Sequence, residues 1–232
     1  MSFFASLPLL SKFYLLAQMT VCEPSANAPH VDVFFLPEKP NYITNAPVKA
    51  LTQALAQNKD ATHVNVAEAV GTWRVFGITD GHMEGTGYHV SFEVQSDSSS
   101  KCIYVNKVNF VIRYIPTIFI GSELKKHECI FKMTKLHEER HVATDLRVIR
   151  RYLPKIKMEI LKFLWHYGPQ GPYPHHEADK QASRIVKEIK DAVQPIIDKL
   201  FEERRRHQGD IDTIENYKYE SGLCPNEVPK VE

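Results

Sequence analysis

Once the first 28 residues are set aside, no stretch of the chain approaches the ~20 consecutive apolar residues that a bilayer-spanning helix requires. An integral membrane protein is therefore not expected. Charge of one sign is also missing: 29 Lys and Arg face 28 Asp and Glu, for a net charge of +1. That balance gives no general reason to expect nucleic acid or an anionic membrane as partner. The four cysteines, Cys22, Cys102, Cys129 and Cys224, contain no C-x-x-C pair, which argues against a zinc ribbon or a thioredoxin-type redox site. There is no Gly-rich phosphate loop, no G-x-S-x-G elbow and no internal repeat, so nucleotide hydrolysis and serine-hydrolase chemistry have no motif to rest on.

What remains is a chain of 232 residues, 43% of them hydrophobic, enough for one fair-sized domain with a real core. Residues 1–28 hold two apolar runs split by Lys12 and end in Ala26-Asn27-Ala28. The small-x-small form reads as a signal peptide, with an N-terminal helix as the alternative, and implies a periplasmic or secreted protein. Cleavage there would remove Cys22. Of the remaining cysteines, Cys129 and Cys224 are the preferred pair, because their bridge would tie the C-terminal tail beside the helix discussed next.

Residues 29–121 read as a β-rich subdomain. VDVFFL, TWRVFGI, GYHVSFEVQ, CIYVNKVNFVIRYI and TIFIG are strands, and APVKALTQALAQ is a short helix. Residues 122–232 read as a helical subdomain. A long helix follows Ser122 as its N-cap, with Pro154 as a kink or a second start. GPQGPYP, residues 168–174, is a turn, and a returning helix follows from about His175 to His207, with Ile185, Ile189, Val193, Ile196 and Leu200 as its apolar stripe. The tail beyond it has no period and reads as irregular. The expected class is α+β and zincin-like: a small, mostly antiparallel sheet, a long helix carrying the motif below, and an antiparallel returning helix.

KLHEERHVATDL, residues 135–146, contains His137, Glu138 and His141 as H-E-x-x-H. At about 100° per residue, His137 and His141 share one helix face on adjacent turns, and Glu138 lies about a quarter-turn round. Two imidazoles can then hold one zinc ion while the carboxylate reaches a water at the metal, the arrangement of a general base. The same face continues through Ile130, Met133, Val148 and Tyr152, so the site should be inward-facing. A pair of structural core histidines is the alternative. Folding the helix pair about residue 171 sets residues 201–205 opposite the motif. Extending the returning helix's stripe then nominates Glu203 as third ligand, with His207 and Asp212 as alternatives. Against this stands a plain reading of EERRRH, residues 202–207, as a solvated helix end. Glu159 and the His175, His176, Glu177 cluster lie too far along the helices to join.

These residues resemble a family, the predicted secreted zinc-dependent proteases of bacteria. The resemblance runs from TIFIGSELKKHECIFKMTKLHEERHVATDLRVI to EERRRHQGDIDTIENY, where Glu203, Gln208 and Asp212 match a spaced Glu, Gln and Asp. It implies His137 and His141 as zinc ligands and Glu138 as catalytic base. The function expected is a zinc-dependent peptidase acting on a peptide or protein. The rival is a non-catalytic envelope protein that keeps the motif as core or as a structural metal site.

Overall fold

The computed structural model describes residues 21–23, 25, 27–57, 74–96, 100–225 and 227. Of the expected signal peptide, residues 1–20, Pro24 and Ala26 lie outside that set, as do Thr72 and Trp73 at the start of TWRVFGI. Five strands form one sheet: β1 (His30–Pro37), β2 (Asn41–Ala46), β3 (Gly77–Ser96), β4 (Ser100–Gly121) and β5 (Gln170–Pro174). Among the described residues four α-helices accompany them: α1 (Val48–Gln57), α2 (Glu128–Tyr167), α3 (Ala178–Gly209) and α4 (Ile214–Gly222).

The sheet is organised around β4, the strand to which every other one bonds. β3 pairs antiparallel along nearly its whole length, from Gly77 opposite Ile120 to Ser96 opposite Lys101. The other edge of β4 is shared end to end. β5 takes residues 100–103 in antiparallel fashion, β1 takes 107–114 in parallel and β2 takes 117–121 in parallel. The expected α+β class with a small, mostly antiparallel sheet is therefore corrected to a mixed α/β arrangement, with two parallel and two antiparallel pairings among the described strands. Periodicity within a strand reports which face is buried, not the direction of the neighbour, and so could not distinguish the two.

Several expected elements merge or change type. CIYVNKVNFVIRYI and TIFIG are one strand, β4, since Pro116 sits inside it without ending the pairing. The segment expected as a turn at 168–174 contributes β5. Ser122 opens a short 3-10 turn, Ser122–Lys126, and the long helix starts only at Glu128. The tail expected to be irregular forms α4, N-capped by Thr213, whose hydroxyl accepts from Asn216 N at 3.2 Å.

From Val108 to Ile120 β4 alternates between buried and less buried residues. Val108, Phe110, Ile112, Tyr114, Ile118 and Ile120 are buried beneath α2, which meets them with Val148, Ile149, Tyr152, Ile156 and Ile160. That apolar seam holds α2 continuous through Pro154, although proline cannot donate to the carbonyl one turn back. α3 returns antiparallel against α2, with Tyr167 bonded to Glu188 near one end and Gln208 reaching His141 at the other. Its buried stripe is Ile185, Ile189, Val193, Ile197 and Leu200.

Both cysteine pairs are bridged. Cys129–Cys224 is the pair preferred from the sequence and anchors the end of α4 to the start of α2. Cys22–Cys102 joins the N-terminal segment to β4, so a chain cut after Ala28 would keep residues 1–28 only through that bond. The cross-link at α4 closes a long loop, its cysteines 95 positions apart in the chain. The Cys129→Ser/Cys224→Ser variant should therefore lose about 3–4 kcal/mol of unfolding free energy, read by denaturant titration. An unchanged midpoint would show that the bridge does not constrain the unfolded chain.

Candidate metal centre

His137, Glu138 and His141 all lie on the buried side of α2. Asp212 joins them from the short connection between α3 and α4 and is only 3% exposed. His137 Nε2 and His141 Nε2 stand 3.0 and 3.1 Å from Asp212 Oδ1, and 3.1 Å from each other. These three side chains could hold a metal ion.

The partners of the outer ring nitrogens decide what the inner ones can do. A carboxylate can only accept, so Glu220 Oε2, 2.9 Å from His137 Nδ1, assigns the ring proton to Nδ1. Arg140 Nη2 also approaches this nitrogen, at 3.0 Å, but its acceptor is Glu220 Oε1. On the second ring, His141 Nδ1 contacts Gln208 Oε1. The Gln208 amide nitrogen donates to His141 O at 3.1 Å and Asp145 Oδ1 at 2.6 Å, which orients the amide so that its oxygen must accept from Nδ1.

Both neutral imidazoles thus turn Nε2 lone pairs toward each other and toward a carboxylate oxygen. Three acceptors at such separations repel unless a cation or a proton lies among them. Without a metal the relief is protonation: burial opposes the charged form of His141, yet Asp212 and Glu138 hold its pKa up at about 9. With one, the fit is good, because donors on ~2.0–2.1 Å bonds at tetrahedral angles would sit roughly 3.3 Å apart. Tyr217 closes the group, its hydroxyl donating to Asp212 Oδ1 at 2.6 Å and its ring stacked on His137. Burial and the Asp212 carboxylate push the Tyr217 phenol far above its usual range.

Glu138 does not join the donor set. Thr79 Oγ1 of β3 lies 2.8 Å from its Oε2 and 3.1 Å from its backbone oxygen. Burial raises its pKa, opposed by the two imidazoles. β3 can come this close because glycine occupies the positions on either side of Thr79 that face α2. A Cβ on Gly77 would stand 2.5 Å from Glu138 Oε1, and one on Gly81 would collide with Asp145.

One turn beyond the motif, Asp145 is buried and accepts from Tyr114 Oη at 2.9 Å. Arg204 grips it with Nε at 2.9 Å and Nη2 at 2.6 Å, and donates to Gly81 O at 2.8 Å. Burial works against the Arg204 cation, but the Asp145 carboxylate keeps its pKa above the usual range. A cleft of about 180 Å³ opens over Glu138, His141 and Asp212, between β3 and the last turns of α3.

Glu203, the expected third ligand, is not in the set. It pairs with Arg151, with His207 Nε2 3.6 Å away. The inward face of α3 runs through Ile197, Leu200, Arg204 and Gln208, and Glu203 falls about 60° off the line of Leu200, on the Arg151 side. His207 faces Glu203 and Asp210 instead of the imidazoles. Asp212, named as an alternative, takes the position. The sequence reading missed Thr79, Tyr217 and Glu220. For Thr79 a signal existed, the alternating small residues of Gly77-Ile-Thr-Asp-Gly81; for the other two, in an aperiodic tail, there was none.

Comparison of the chain with protein-family models, with curated proteins and with solved structures finds no match.

Gln208→Leu and Glu220→Leu remove the acceptors that orient the two rings. Each should weaken metal binding about 10- to 100-fold, measured with added zinc as the probe by competition with a chromogenic chelator. Wild-type affinity in both would mean that the ring orientation comes from packing alone.

Proposed function

We propose that the protein is a zinc-dependent peptidase in which His137, His141 and Asp212 hold the metal and Glu138 is the general base. The observation that carries the reading is the division of labour among four buried polar groups. Three donors converge on one point, while the fourth, Glu138, is held apart by Thr79 at the edge of an open cleft. The resemblance noted for KLHEERHVATDL points the same way.

A zinc ion in this set would polarise a substrate carbonyl and acidify water beside it. Glu138 takes the proton from the attacking water as the new C–O bond forms. It passes the proton to the amide nitrogen as the C–N bond breaks, leaving a carboxylic acid and an amine. Its raised pKa suits both halves of that transfer, and Thr79 fixes one of its oxygens beside the cleft. Gln208 and Glu220 keep the Nδ1 protons in place. Among the described residues no strand covers the outer edge of β3, so an extended peptide would lie along it by strand addition, with its carbonyl above Glu138.

The two disulfides support an oxidising compartment, and no described helix is long and apolar enough to cross a membrane. We read the protein as periplasmic or secreted.

Purified under zinc-replete conditions, the wild type should carry about one zinc per chain by elemental analysis, and His137→Ala and Asp212→Ala should carry little. Glu138→Gln should keep the metal and lose roughly 10²- to 10⁴-fold in peptide cleavage. Zinc retention with undiminished activity in Glu138→Gln would remove that residue from the mechanism. Stoichiometric zinc with no cleavage of any denatured protein by the wild type would favour a structural metal site instead.

A further inference from the structure

The cleft has one charge that the metal centre does not use. Its α3 wall carries Phe201, Arg204, Arg205 and Gln208, one helix face at i, i+3, i+4 and i+7. Gln208 is committed to His141, and Arg204 to Asp145 and Gly81 O. Arg205 is exposed, and among the described residues no carboxylate or other acceptor engages it.

The acids of the same cleft are all answered. Asp145 has Arg204, Tyr114 and Gln208; Asp212 has Tyr217 and the cation position between it and the imidazoles; Glu138 has Thr79. With a divalent ion offset by Glu138 and Asp212, and Arg204 offset by Asp145, the charge left over on the cleft wall is that of Arg205. Beside it Phe201, Leu55 and Val75 supply apolar lining. A peptide extended along β3 turns every other side chain toward α3.

We propose that Arg205, flanked by Phe201, forms a subsite for a carboxylate of the substrate peptide, so that the cleft selects acidic peptides. This rests on the peptidase reading of the metal centre. The guanidinium supplies a paired set of donors that match the two carboxylate oxygens, and Phe201 covers the methylenes that carry the group. The carboxylate can belong to an Asp or Glu side chain or to the peptide's C-terminus.

The test uses binding rather than turnover. Zinc-loaded Glu138→Gln protein is titrated with short fluorescent peptides that differ only in Glu against Gln at one position, each with a free or an amidated C-terminus. The carboxylate-bearing peptides should bind roughly five- to tenfold tighter, with an advantage that shrinks as salt is added. Arg205→Ala should abolish the advantage and Arg205→Glu reverse it, with unchanged circular dichroism. Which pair of peptides shows the gain identifies the source of the carboxylate. Equal affinity for all the peptides, no binding of any, or an acidic preference that survives Arg205→Glu overturns the proposal. Cleavage by the wild type is scored separately. Preference without cleavage leaves the subsite and removes the peptidase reading; cleavage without preference does the reverse.

Discussion

The burial of Asp212 against two imidazole Nε2 atoms, a cluster that holds together only with a proton or a cation inside it, is the constraint on which the C-terminal part of the molecule depends. Left bare, two lone pairs and a carboxylate about 3 Å apart would drive one another out of a low-dielectric pocket. The surrounding groups make the arrangement hold. Glu220 and Gln208 keep each ring proton on the outer nitrogen, and Tyr217 donates one hydrogen bond to the shared oxygen. What the centre still needs is positive charge, which a proton on His141 or a metal ion held by the triad would supply.

The chain brings these groups together from distant places. α2 provides the histidines and Glu138, α3 provides Gln208, the connection after it provides Asp212, and α4 provides Tyr217 and Glu220. A nine-residue helix buries little of its own surface, since α4 has no fully buried residue. Its position is secured by the Cys129–Cys224 bridge, by Glu227 accepting from Cys129 N at 2.7 Å, and by the contacts to the site. On the opposite side, the absence of side chains at Gly77 and Gly81 lets β3 close over α2. The site is therefore a three-way junction of a strand, a helix hairpin and a disulfide-tethered tail.

Much of the motif was legible because it is local. Helical spacing alone puts His137 and His141 on one face and aligns that face with Ile130, Val148 and Tyr152, all of which are buried. The hairpin was legible too, since its apolar stripe names the residues that pack. The error at Glu203 shows the limit. Choosing Ile196 rather than Ile197 as a stripe residue rotates the helix by about 100°, and the nominated ligand changes from one side of the helix to another. Ile197 is 9% exposed, whereas Ile196 is only partly buried; their hydrophobicity is the same.

The order of residues along the chain determined the α2 motif, its buried phase, the antiparallel return of α3 and one of the two cysteine pairs, because each follows from periodicity or from the reach of a short segment. Strand direction around β4, the choice of Asp212, and the roles of Thr79, Tyr217 and Glu220 were decided by tertiary structure alone. The Thr79–Glu138, His137–Asp212 and His137–Glu220 partners lie 59, 75 and 83 residues apart. Nothing in a polar residue's own neighbourhood states which distant group will meet it. Only the closing of the core, with every buried acceptor needing a donor or a cation, makes that choice.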